Sequence, residues 1–116
     1  MAHAIKELVV FKDGSSINGE VLVKRFILNL KHGTLTLPKS DILSVEYKHP
    51  PYTDDQVYVS AGTKLLGDLT PAVFDVRVEN TNQVLTVPKT DVHSLVFFTG
   101  RGRVSAATRR ALKSVR

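Results

Sequence analysis

Apolar and polar positions alternate with a period of two along most of the chain. Ile17, Gly19, Val21 and Val23 alternate with Asn18, Glu20, Leu22 and Lys24; Phe26, Leu28 and Leu30 alternate with Ile27, Asn29 and Lys31; Leu35 and Leu37 alternate with Thr34 and Thr36. The same faces return further on, as Leu65, Gly67 and Leu69, then Phe74, Val76 and Val78 against Asp75, Arg77 and Glu79, then Leu85 and Val87. This period predicts strands with one buried face. Turn residues cut the runs into five short strands twice over: Asp13-Gly14, Lys24-Arg25, His32-Gly33, Pro71-Ala72 and Thr81-Asn82 mark the bends. Pro38-Lys39-Ser40-Asp41 and Pro88-Lys89-Thr90-Asp91 read as single 3₁₀ turns, because proline fixes φ and lacks an N–H while Asp can accept from nearby amides.

The pattern repeats because the sequence does. Residues 9–48 align with 57–98: Gly14, Gly19 and Phe26 fall on Gly62, Gly67 and Phe74, and after two extra residues Leu35, Thr36, Pro38, Lys39, Asp41 and Ser44 fall on Leu85, Thr86, Pro88, Lys89, Asp91 and Ser94. A copy of about 40 residues is too small to bury a stable core alone, so the copies are expected to share a core or lean on neighbours. Gly19 and Gly67 lie inside strands, where glycine costs about 0.5 to 1 kcal/mol relative to alanine; their recurrence predicts a sharp bend or a close backbone approach. The HPPYTDDQ segment at 49–56 cannot continue a central strand and separates the copies.

A first strand ending in Asp13-Gly14, a bent second strand with Gly19, and a fourth and fifth strand divided by the Pro38–Asp41 step resemble the Sm-like fold, a small open barrel of five strands. The resemblance implies an all-β protein: two tandem five-stranded Sm-like or SH3-like small barrels at 5–48 and 56–98, joined by a linker at 49–55 and followed by a basic C-terminal helix or disordered tail at 99–116. It also implies assembly, since Sm-like barrels join by pairing strand four of one module with strand five of the next. The family's RNA-reading positions are only partly kept. Asn29 stands at the Asn position, but Arg25 replaces the expected Asp, the second copy has Val73 and Arg77, and the Arg-Gly step becomes Pro38-Lys39 and Pro88-Lys89.

Charge is segregated along the chain. Residues 1–100 hold ten Lys and Arg against eleven Asp and Glu, whereas Arg101, Arg103, Arg109, Arg110, Lys113 and Arg116 stand in the last 16 residues without an acid. Any electrostatic attraction to nucleic acid therefore falls on this tail, with Lys39 and Lys89 as further phosphate-facing candidates in related turns. Val96 and Phe98 make the last strand apolar on both faces, which marks them as interface candidates. No catalytic constellation emerges: Asp91, His93 and Ser94 offer nucleophile chemistry, but alternation sends Ser94 to the opposite face. His3, His32, His49 and His93 lack ligand spacing, so no metal, cofactor or small-molecule substrate is expected. Without cysteine, a signal segment or a transmembrane run, the sequence reads as cytoplasmic. The expected function is a non-enzymatic, homo-oligomeric scaffold; nucleic-acid binding through the tail is the alternative.

Overall fold

A computed structural model describes residues 7–60 and 63–97. The first copy contributes β1 (Glu7–Phe11), β2 (Ser16–Val21), β3 (Arg25–Leu30), β4 (Gly33–Pro38) and β5 (Ser44–Glu46). From the second come β6 (Asp55–Ser60), β7 (Thr63–Thr70), β8 (Val73–Val78), β9 (Val84–Pro88) and β10 (Val92–Phe97). The two proline turns form one-turn 3₁₀ helices at Lys39–Asp41 and Lys89–Asp91, as the Pro-Lys-Ser/Thr-Asp pattern predicts. The turn after β1 is closed by a Gly14 N–H bond to the Phe11 carbonyl, and Gly14 takes φ +94°, which a side chain would strain.

All ten strands join one curled antiparallel sheet in the order β4-β3-β7-β6-β5-β10-β1-β2-β8-β9. The order reads the same from either end once each strand of one copy is exchanged for its counterpart in the other. Contiguous copies would pair their own second and third strands. Here β2 instead pairs with β8 of the other copy, through Gly19↔Val78, Glu20↔Arg77 and Val21↔Val76, and β7 pairs with β3. The two strand glycines fit these crossings. A Cβ at Gly19 would drive into the Arg77 carbonyl oxygen, and one at Gly67 into that of Asn29. Beyond Val21 the Leu22 N–H still bonds the Asp75 carbonyl, and the chain then turns away so that β3 reaches β7.

The sheet curls until its ends pack on its middle. Phe26 of β3 lies 6.1 Å from Phe97 of β10, and Phe74 of β8 stacks 6.3 Å from Tyr47 just beyond β5. Both phenylalanines are buried at equivalent places, among Val9, Val21, Leu28, Ile42, Val57, Leu69, Val76 and Leu95. The two fifth strands meet at the centre, Ser94↔Glu46, Leu95↔Val45 and Val96↔Ser44, while β1 flanks β10 on its other side. Val96 is thus partly covered by its own chain on a central strand, whereas Phe98 and the basic residues from Arg101 to Arg116 lie outside the described residues. Among the described residues no helix is long and apolar enough to cross a membrane.

Candidate functional site

The repeated turn lysines are the first residues the fold brings to buried partners. Glu7 on β1 and Asp55 on β6 oppose the two strand glycines, Gly19 and Gly67, and both carboxylates are almost wholly enclosed. Lys39 Nζ lies 2.8 Å from Glu7 Oε2 and donates to the Val21 carbonyl at 2.8 Å, while Glu7 Oε1 accepts the Val21 N–H at 2.7 Å. Lys89 repeats the arrangement: Nζ meets Asp55 Oδ2 at 3.0 Å and the Leu69 carbonyl at 2.8 Å, and Asp55 accepts the Leu69 N–H at 2.8 Å. Each lysine ties a 3₁₀ turn to the first two strands of its own copy. Their ammonium groups, expected from the sequence to face phosphates, are engaged by carboxylates inside the molecule.

The two places differ in what stands beside the lysine. Phe97 lies under Lys39, with Nζ 5.9 Å from the ring centroid. The residue corresponding to Phe97 in the first copy is Tyr47, which shares a cavity of about 250 Å³ with Lys89. Tyr47 is 1% exposed, and its hydroxyl has no hydrogen-bond partner among the described residues. Burial, reinforced by the Asp55 charge, pushes the phenol well above its ordinary range. Lys89 also has a second carboxylate, Asp68 Oδ1 at 2.8 Å, with no counterpart at Lys39 among the described residues. Burial pulls the Lys89 ammonium down, but hydrogen bonds to Asp68 and Asp55 outweigh it and the net direction is up.

This cavity is also lined by Lys12, Lys48, His49, Pro50, Tyr52 and Thr90. Because β5 pairs with β10, His93 comes beside Glu46 and His49, the last of which lines this cavity. The Tyr47 N–H bonds the His93 carbonyl at 2.9 Å, His49 and His93 stack with centroids 4.7 Å apart, and His49 Nε2 lies 2.9 Å from Glu46 Oε2. The ligand-capable atoms of Glu46, His49 and His93 all lie within 4.8 Å of one another. Sequence reasoning missed this grouping since only Glu46 and His49 are near neighbours; a signal was nonetheless present, as Tyr47, Lys48 and His49 interrupt the match to Phe97 and Phe98 in the second copy. Ser94 sits on the central β10 partly buried, and Asp91 is exposed on the 3₁₀ turn.

A second candidate surface is the pair of sheet ends. Among the described residues β4 and β9 each have one hydrogen-bonded neighbour. The Lys39 and Lys89 N–H groups bond the carbonyls of Lys24 and Ala72, and with the strand register this turns the alternate backbone groups of Thr34 and Thr36, and of Val84 and Thr86, outward. Neither strand carries a charged residue, and Val73, Val84 and Leu85 are exposed at the β9 end. No family model, curated protein or solved structure matches the chain.

Proposed function

We propose that the protein is a non-enzymatic, homo-oligomeric scaffold whose copies join through the outer edges of β4 and β9. The observation that carries this is the chemistry of those edges: two uncharged terminal strands whose outward backbone groups have no strand partner among the described residues. Edge strands that must stay single are usually guarded by lysines, inward charges or bulges, and among the described residues proline at the last position of each strand is the one such guard. Leu85 adds to the case. It is 41% exposed where its counterpart Leu35 is 7% exposed, so the β9 end leaves apolar surface that a second copy would cover.

In this reading each half of the sheet is an Sm-like unit assembled from both copies. One half holds β10, β1, β2, β8 and β9, the other β5, β6, β7, β3 and β4, so each contains the five strands of the repeat. The fifth strands that the resemblance assigns to partner binding are used against each other, which leaves the fourth strands for assembly.

The test is solution mass by sedimentation, with and without Thr36→Pro and Val84→Pro. Both changes remove an outward amide and spare the inward ladder, so a thermal melt should show the fold retained. The unmodified chain should be multimeric at micromolar concentration and the double variant monomeric. A monodisperse monomer for the unmodified chain overturns the proposal. The alternative, polyanion binding by the tail, is supported by its six cations without an acid and would appear as a complex that dissolves in salt.

A further inference from the structure

We propose that Glu46, His49 and His93 form a binding site for a divalent transition-metal cation of the zinc class. The three side chains come from the end of β5, the segment just after it, and the neighbouring β10. Two imidazoles and one carboxylate are a ligand set suited to Zn²⁺, Co²⁺ or Ni²⁺, whereas Ca²⁺ and Mg²⁺ take oxygen ligands. Donor atoms around a tetrahedral zinc stand roughly 3.4 Å apart, from metal–ligand bonds of about 2.0 to 2.1 Å. The observed atoms lie within 4.8 Å of one another, so closure requires shifts of under two ångströms from partly exposed side chains.

The surroundings of His49 prepare it as a ligand. Its Nδ1 lies 3.3 Å from the Pro50 carbonyl, which can accept the ring N–H and leave Nε2 directed at Glu46. A cation would sit between Nε2 and the Glu46 carboxylate, which now lie 2.9 Å apart. Stacking against His93 and the edge of Tyr52, 5.4 Å away, fix the ring plane.

His49 lines the same cavity as Lys89, Lys12, Lys48 and Tyr47, whose enclosed hydroxyl has no hydrogen-bond partner among the described residues. Three protein ligands leave a fourth position on the metal, and this cavity would supply the water or small anion that completes it. The pseudo-equivalent place in the other half has Val96 for Glu46 and Phe97 for Tyr47, so one metal per chain is expected.

Titration of the full chain with Co²⁺ alone provides the test, because tetrahedral or five-coordinate Co²⁺ absorbs visibly where the hexa-aquo ion hardly does; Zn²⁺ calorimetry gives the stoichiometry. One equivalent should bind with micromolar or tighter affinity, and Zn²⁺ should displace Co²⁺. Glu46→Gln, His49→Ala and His93→Asn should each weaken binding at least about tenfold, while His3→Ala and His32→Ala should leave it unchanged. Melting curves without metal establish that the variants fold; His93→Asn, on a central strand, is the conservative check. Absence of saturable binding at millimolar metal, or binding that His49→Ala and His93→Asn both leave intact, overturns the assignment.

Discussion

Replacing Lys89 by methionine separates a structural lysine from a phosphate-binding one. Methionine keeps the unbranched stem and removes the ammonium. Asp55, 1% exposed, would keep the Leu69 and Lys48 N–H groups as donors, at 2.8 and 2.9 Å, but lose its counter-charge. Removing one partner of a buried pair costs about 3 to 5 kcal/mol, because the other charge stays enclosed. The exposed Asp68 adds little, since pairs open to water contribute about 0 to 1 kcal/mol. At about 4 °C per kcal/mol for a domain of this size, the melting temperature should fall by roughly 12 to 20 °C. Urea denaturation should show the same loss as a lower midpoint with an unchanged slope. Adding Asp55→Asn should recover part of it, as Asn retains an acceptor without a charge. A loss under about 1 kcal/mol, or a double variant no better than the single one, would refute the reasoning about this ion pair.

Four further outcomes follow from the same geometry. Tyr47→Phe should cost little or stabilise, since an unpaired buried hydroxyl carries a desolvation penalty of about 1 to 3 kcal/mol. It should also blunt an alkaline loss of stability. The folded chain holds the raised Tyr47 proton above about pH 10, where the unfolded chain releases it, and the Lys89 contribution, full below the ordinary lysine range, is likewise lost as pH rises through its raised folded value; a pH series of urea melts reads both. Gly19→Ala and Gly67→Ala should each destabilise by about 1 to 3 kcal/mol despite alanine's better strand entropy, because the new methyl meets a backbone carbonyl of the other copy. Phe26→Ala and Phe74→Ala should each cost about 3 to 5 kcal/mol in the same assay. If roughly four tail cations meet phosphates, log affinity for duplex DNA should fall with log salt at a slope of about −3.6, and deletion of residues 101–116 should abolish binding.

Local structure was legible in the sequence because it depends on local chemistry. Period-two alternation located the strands, Pro-Lys-Ser/Thr-Asp located both 3₁₀ turns, and the paired Phe26 and Phe74 marked equivalent core positions. Strand pairing was less legible, since β2 meets β8 through the same alternating face it would have offered to β3. The strand glycines signalled close approach without naming the partner. The partners of Lys39 and Lys89 were not legible for a related reason: Glu7 and Asp55, 32 and 34 residues away in the chain, become their neighbours only when the sheet curls. His93 joins Glu46 and His49 through the β5–β10 pairing, which no residue spacing encodes.

Edge-mediated assembly is tested most directly by amide hydrogen exchange at several protein concentrations. The amides of Leu35, Leu37, Leu85 and Val87 face neighbouring strands and serve as the internal reference. Those of Thr34, Thr36, Val84 and Thr86 face outward from the two ends of the sheet. The account predicts that protection of the outward amides rises with concentration while the reference amides stay unchanged. Free exchange of all the outward amides at every concentration, with the reference amides protected throughout, would contradict it.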